Sequence, residues 1–409
     1  MMKHKFIGTK DFYRMVLTVT IPVVIQNGLT NFINLLDNIM VGQIGTEPMS
    51  GVAIINQLLL VFNLLISGGV SGAGIFTAQY YGKGDMDGVR HTIRAKLWII
   101  AVALTAALTV FLTLDTSLIS LYLNETTQSA AATLVYAKTY LRIMLIGLIP
   151  FAISQCYASS LRETGETVLP MKASACALFV NLILDYALIF GKFGLPTMGV
   201  AGAAIATVIS RFAEMGILLI SAHLRVKEYT FLQGLYRKVT IPTKLIRNIL
   251  VKGMPLMLNE LLWAAGIATV GQCYSMRGLD VVAAQNIAST INNLFSVIYF
   301  ALGCSIAIVV GQKLGAGEIE EAKKCNTQMI AFDLLISILS GIFLTIAAPF
   351  LPLFIILPRR FVSWLLSFYG SLQQPCPFIP LYTAPITPCV PAEKPASLSF
   401  LTVATPGWS

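Results

Sequence analysis

Long apolar stretches separated by short polar breaks run through most of this chain. A membrane-crossing helix needs about 20 consecutive apolar residues. Nine segments reach that length: 15–41, 50–79, 95–114, 133–159, 168–190, 199–224, 248–274, 281–312 and 328–356. The breaks carry turn residues, as at Gly42 to Pro48, Gly191 to Pro196 and Arg277-Gly278. These stretches are too long for the tilted strands of a lipid-facing barrel. The pattern predicts an all-α polytopic membrane protein. Composition agrees: 11% of residues are charged, against about 25% in a soluble domain.

The apolar pattern is written twice. At a constant offset of 233, Pro22 falls on Pro255, Gly45 on Gly278, Phe62 on Phe295 and Gln79 on Gln312. The glycine turn Gly82-Lys83-Gly84-Asp85 falls on Gly315-Ala316-Gly317-Glu318. Both copies start on the same side, so the repeat is parallel, about an axis along the membrane normal. It predicts two pseudo-symmetric lobes of six helices each, rocking around a site at their interface. The expected organisation is an amino-terminal lobe at 1–224, a basic linker at 225–247 and a partial carboxy-terminal lobe of three helices at 248–356. After Leu357 the character changes, because nine of the eighteen prolines lie in 358–409. Proline cannot continue a helix, so 358–409 reads as an irregular tail. The second lobe is then incomplete. A natural Pro-rich tail is one account; unrelated sequence after a frameshift is the favoured one, since the repeat predicts three more spans.

Lys and Arg set the orientation. With the N-terminus in the cytoplasm, the inner segments hold twenty of these cations and the outer ones hold Lys138, Lys192 and Arg277. The expectation is a multi-pass protein of the plasma (inner) membrane with a cytoplasmic N-terminus. No cleavable signal peptide is expected, since 1–10 is polar and basic and leads straight into a full span. The net charge of +9 reflects basic loops rather than nucleic-acid binding.

Charges at membrane depth are costly and mark function by default. They are Asp37, Arg142, Asp185, Arg211, Glu214, Glu260 and Asp333. Asp37 shares the first span with Gln26, Asn27, Asn31, Asn34 and Asn38. At 100° per residue these occupy an arc of about 140° on one helix face. Such a face must look at protein or water rather than lipid. Asp185 stands four residues after Asn181, so the two share a face. A carboxylate pair with amide neighbours in low dielectric suits a proton or Na⁺. In the second half, Glu260 follows Pro255 by five residues, and Gln285, Asn286, Asn292 and Asn293 form a polar face. Ion coupling and interhelical hydrogen bonding account for that face equally well. Arg211 and Glu214, at i and i+3, read as a mutually neutralising pair. Pro22 and Pro255 are candidate hinges, each freeing a carbonyl within its lobe's first helix. The cysteines lack metal-ligand spacing and read as packing residues. The phosphate-loop, zinc-protease and CxxC patterns are absent. The chain is therefore expected to be no enzyme, to need no cofactor and to draw its energy from an ion gradient.

With those residues in view, the chain resembles the multidrug and toxin extrusion (MATE) family. The resemblance rests on Pro22, Asp37-Asn38-Ile39-Met40-Val41-Gly42 with Gly45, and Ala78 to Asp85. It also rests on Asn181-x-x-x-Asp185 and on Glu260 with Gly311 to Gly317, and it covers about 1–356. It implies twelve helices in two six-helix lobes and export of amphipathic cations against Na⁺ or H⁺. It places an amino-lobe cation site on Asp37, Asn181 and Asp185, with Thr207 a further member, and an acidic residue of the other lobe on Glu260. Gln26, Asn27, Asn31, Asn34, Gln285 and Asn292 then line a substrate cavity. The expected partners are small amphipathic cations and membrane lipid, with no nucleic acid, and the expected state is a monomer. Two alternatives remain: a lipid-linked saccharide flippase of the same superfamily, and a non-functional truncated membrane protein.

Overall fold

The computed structural model describes residues 8–122, 128–237, 240–275 and 279–347. Its elements are α1 (Lys10–Gly42), α2 (Thr46–Gly82), α3 (Met86–Thr113), a short α4 (Asp115–Ser120), α5 (Gln128–Glu163), α6 (Val168–Phe190) and α7 (Gly199–Leu224). A 3₁₀ turn (Thr230–Leu232) precedes α8 (Thr243–Ser275), α9 (Leu279–Gly315) and α10 (Ile319–Ala347). Strands are absent among the described residues. By length and composition, eight of these helices are able to cross a membrane. The expected seventh span falls on α8, which is not one of these eight. The tail 358–409 and the end of the ninth span lie outside the described residues.

Spans 168–190 and 199–224 coincide with α6 and α7. Others begin earlier than their apolar runs. α3 starts at Met86 rather than near 95 because Asp85 caps it, its carboxylate accepting from the Gly88 N–H at 2.8 Å. Capping lets a helix nucleate in polar sequence ahead of the membrane. Lys96 and Arg94, which the apolar count put at the span's edge, are thereby carried inside the bundle and buried.

The repeat is visible in backbone geometry. The Asp85 N–H donates to the Tyr80 carbonyl at 2.9 Å, and Gly84 to Tyr81 at 2.9 Å. At the same offset, Glu318 donates to Lys313 at 3.1 Å and Gly317 to Leu314 at 3.2 Å. Gly84 (φ 78) and Gly317 (φ 83) both take the left-handed conformation that L side chains disfavour. The glycines of the sequence repeat are the turn itself.

The chain divides into two compact units, and the division cuts two helices. One unit is Ile25–Met257; the other joins the segments before and after it. Both cuts fall two residues beyond a proline, Pro22 in α1 and Pro255 in α8, and each helix continues through its proline. The expected lobes, 1–224 and 248–356 around a linker, therefore differ from these compact units. The reason is packing. In the outer-segment unit, Val16 of α1 is buried with Leu302, Ile306 and Val309 of α9. In the central unit, Ile249 of α8 is buried with Ala73 and Phe76 of α2. Val16 and Ile249 are repeat-related, as are Ile306 and Ala73, and Val309 and Phe76. The part of each helix before its proline packs on the second helix of the opposite repeat. The loop after α7 belongs to the central unit too. Arg94 donates to the carbonyls of Leu235 (2.7 Å) and Gly234 (3.0 Å), with Phe231, Leu232 and Leu235 buried.

Candidate functional site

Within the central unit, α1 brings Asp37 to Asp185 of α6, and the two carboxyl groups interact directly. Asn181, one turn before Asp185, faces it from the same helix. Asp185 and Asn181 are almost fully buried. Asp37 Oδ1, both Asp185 oxygens and Asn181 Nδ2 have no hydrogen-bond partner among the described residues. Buried polar atoms are nearly always satisfied, and two ionised carboxylates are acceptors only. Two such groups in contact repel unless a positive charge joins them. A single proton shared between them, or one small cation bridging them with the Asn181 amide, supplies it. No group of three or more His, Cys, Asp or Glu side chains suited to a metal ion exists among the described residues.

Tyr140 of α5 was not singled out from the sequence. It is buried beside both carboxylates and hydrogen-bonds Asn56 Oδ1 at 3.5 Å. A Tyr in an apolar helix carries no distinctive spacing, so the sequence offers little signal for it. Thr207 lies on α7, where its hydroxyl donates to the Ala203 carbonyl at 2.9 Å.

A second polar cluster lies in the same unit. Arg162 Nη1 donates to Gln26 Oε1 (3.2 Å), Gln26 Nε2 to Ser174 Oγ (3.0 Å), and the Ser174 hydroxyl to Glu214 Oε1 (2.6 Å). Gln26, expected in a substrate cavity, is buried in this chain; Asn27 and Asn31 are half-buried and Asn34 is exposed. The expected Arg211–Glu214 pair does not form. Arg211 instead donates to the Gly147 carbonyl at 3.3 Å and lies over the Phe151 ring, 5.0 Å from its centroid. The i,i+3 spacing permits the pair, but the long Arg side chain reaches a carbonyl and a ring on α5 while Ser174 claims the carboxylate.

A third cluster joins α3 to α5. Lys96 Nζ is fully buried, forms an ion pair with Glu163, and donates to the hydroxyls of Ser159 (2.7 Å) and Ser160 (3.3 Å). In the other unit, Glu260 is half-buried on α8 and makes no ion pair with another described residue. The side chains of Gln285 and Asn292 lie outside the described residues, though both positions are helical in α9.

An all-helical chain with a repeated span pattern and buried, unsatisfied carboxylates defines a multi-pass membrane transporter. The MatE family model matches it twice, at residues 22–187 and 255–372, and the chain belongs to that family. The two matches begin at Pro22 and Pro255, the offset of the internal repeat. The second runs fifteen residues past Leu357, where the change in composition placed the family boundary. Among curated relatives, a "Probable multidrug resistance protein NorM" of Thermotoga maritima is 28% identical over 337 residues, spanning 81% of this chain and 70% of its own length. A protein of the same name from Halalkalibacterium halodurans is 24% identical over 330 residues, 80% of this chain and 70% of its own. Among solved structures, MATE in a bent conformation matches with a TM-score of 0.77 at 21% identity, covering 91% of this chain and 80% of that one. A Vibrio cholerae MATE transporter gives 0.76 at 20% identity, with coverages of 91% and 80%.

Proposed function

We propose that this protein is a secondary active antiporter that exports amphipathic organic cations in exchange for H⁺ or Na⁺ across the plasma (inner) membrane, with its N-terminus in the cytoplasm. The observation that carries this reading is the contact of Asp37 with Asp185, in which Asp37 Oδ1 and both Asp185 oxygens are buried without a hydrogen-bond partner among the described residues. Such a pair binds one monovalent cation and loses it when the pathway opens to the other side. Asn181 supplies an amide to the same pocket, and Tyr140 is buried beside it.

Export follows when occupancy of the pair and of the substrate cavity exclude one another. Asp37 lies on the polar face of α1 that also carries Asn27, Asn31 and Asn34. An amphipathic cation bound along this face meets the same negative charge as the coupling ion. The two compete for one electrostatic site, so each displaces the other. Family membership and the relatives named as multidrug resistance proteins support this substrate class. Glu260, half-buried on the helix repeat-related to α1, is a second acidic residue for the same chemistry.

The test is ethidium efflux from proteoliposomes carrying the full chain, under an imposed pH or Na⁺ gradient. Efflux driven by one gradient and lost in Asp37→Asn and Asp185→Asn is expected. Gradient-independent behaviour, or unchanged efflux in both variants, overturns the reading.

A further inference from the structure

Arg211 sits between two acidic groups and is paired with neither. Its charge is within Coulombic reach of Asp37 and of Glu214. Yet its guanidinium rests on the Gly147 carbonyl and the Phe151 ring. Thr207, Arg211 and Glu214 fall at i, i+4 and i+7, on one face of α7. Along α6, Asp185 lies about 25 Å from Val168 and Ser174 only about 9 Å, at 1.5 Å per residue. The carboxylate pair and the Glu214 cluster are thus at different depths, and Arg211 is tethered between them.

The donors around Glu214 are all aimed the same way. Arg162 donates to Gln26, Gln26 to Ser174 and Ser174 to Glu214. Aligned donors that end on one carboxylate strengthen one another. Charged groups reach this site from each neighbouring helix: Asp37 on α1, Arg162 on α5, Asp185 on α6, and Arg211 with Glu214 on α7. Three carboxylates face two guanidiniums, and one further monovalent cation completes the balance.

We propose that Arg211 is an internal counter-ion that competes with the coupling cation for the Asp37–Asp185 pair, and that Glu214 is its alternative partner. When the pair holds its ion, Arg211 is repelled and Glu214 retains it. When the ion leaves, Arg211 turns toward the bare carboxylates and keeps them from holding an uncompensated charge. Release of the ion is thereby eased, at the expense of affinity. The exchange moves no covalent bond. It needs only rotation of a long side chain whose present contacts, one carbonyl and one ring face, are weak beside a charge pair. This inference rests on the antiport reading and assigns regulation to the same site.

The test is the dependence of ethidium efflux on coupling-cation concentration in proteoliposomes of the full chain. Arg211→Gln removes the competitor, so efflux should saturate at a coupling-cation concentration at least threefold lower, with a reduced maximal rate. Glu214→Gln removes the alternative partner and drives Arg211 onto the pair, so saturation should need at least threefold more cation. Arg211→Lys keeps the charge and should stay within twofold of the parent. A merely structural role for either residue does not move the two variants in opposite directions. Shifts of the same sign, or none in either, overturn the proposal. Where Arg211→Gln yields no folded protein, the sign of the Glu214→Gln shift decides alone. Efflux in the parent that responds to neither H⁺ nor Na⁺ fails the antiport reading itself, a result distinct from unshifted variants of a working antiporter.

Discussion

Thr20 donates its hydroxyl to Ser305 across 2.8 Å, and the positions related to them by the repeat, Gly253 and Gly72, lie backbone against backbone. Both contacts stand two residues before a proline, Pro22 in one case and Pro255 in the other. One architecture has thus met the same helix crossing in two ways. α1 meets α9 through a polar bond in which Ser305 also donates to the Ala301 carbonyl at 2.9 Å. α8 meets α2 through paired glycines, the small-residue packing that lets membrane helices approach closely.

The two crossings should differ in their tolerance. A Cβ built on Gly72 falls 2.8 Å from Gly253 Cα, and that neighbour is backbone. Gly72→Ala should therefore destabilise by about 1–3 kcal/mol, the usual cost of overpacking. Thr20→Val removes one interhelical hydrogen bond, worth about 0.6 kcal/mol on average in a membrane protein. Thermal melting of the detergent-solubilised chain should give a clearly lower midpoint for Gly72→Ala and a small change for Thr20→Val. The reverse order would show that the close glycine approach is absent in solution.

The Lys96–Glu163 pair should respond as a unit. Removing one partner of a buried ion pair leaves the other uncompensated, at a cost of about 3–5 kcal/mol. Glu163→Gln removes the countercharge, leaves the buried Lys96 ammonium with neutral acceptors alone, and should strongly lower the melting midpoint. Lys96→Met with Glu163→Leu should recover much of that loss, because two apolar chains need no partner. Additive losses in the double variant would place the two residues in separate environments.

Asp115, in the short α4, provides a pH-dependent term outside the spans. Its carboxylate accepts from the Thr116 hydroxyl at 2.8 Å and lies 3.8 Å from Lys138 Nζ. The hydrogen bond to Thr116, and to a lesser degree the charge of Lys138, holds its pKa below the ordinary value of 3.8. A depressed folded-state value contributes stability above the unfolded value and loses it as pH falls through the folded one. The site is exposed, so its share is at most about 1 kcal/mol. Melting midpoints should fall between pH 5 and pH 3, and fall less in Asp115→Asn. An equal fall in both chains would remove Asp115 from the account.

Much of this fold was legible because the membrane dictates it. Unbroken apolar runs in lipid must be helices, so α6 and α7 fall where the runs do. The offset of 233 was readable from prolines and glycines, residues whose backbone roles admit few substitutes. The crossed packing was not, since Val16 against Ile306 is a tertiary choice that no local pattern encodes. Asp37 and Asp185 stood out because charge in an apolar helix is conspicuous, and Asn181 through its spacing to Asp185; the structure does bring them together. Lys96 read as a span-edge residue because its apolar run begins at 95, whereas its helix begins at Met86 and carries it inside the bundle. Arg211 and Glu214 share a face as their spacing requires, but spacing does not fix where a long side chain ends.

The Asp37–Asp185 contact yields the final prediction, a double-mutant cycle on coupling-ion dependence. If the two carboxylates hold one ion between them, either Asn variant removes the same site and the second substitution adds little. Residues in contact are non-additive by about 0.5–3 kcal/mol, so the coupling should lie in that range when ion-dependent efflux is read as free energy. Asn181→Ala should weaken ion dependence less than either Asp variant, because it removes an amide and leaves both charges. Asn variants are the suitable probes, keeping side-chain volume while removing charge, so a folding defect of the cavity type is avoided. Additive effects of Asp37→Asn and Asp185→Asn, with each variant retaining half of the parent's ion dependence, would mean two independent sites. The unsatisfied oxygens of Asp37 and Asp185 would then require two cations rather than one.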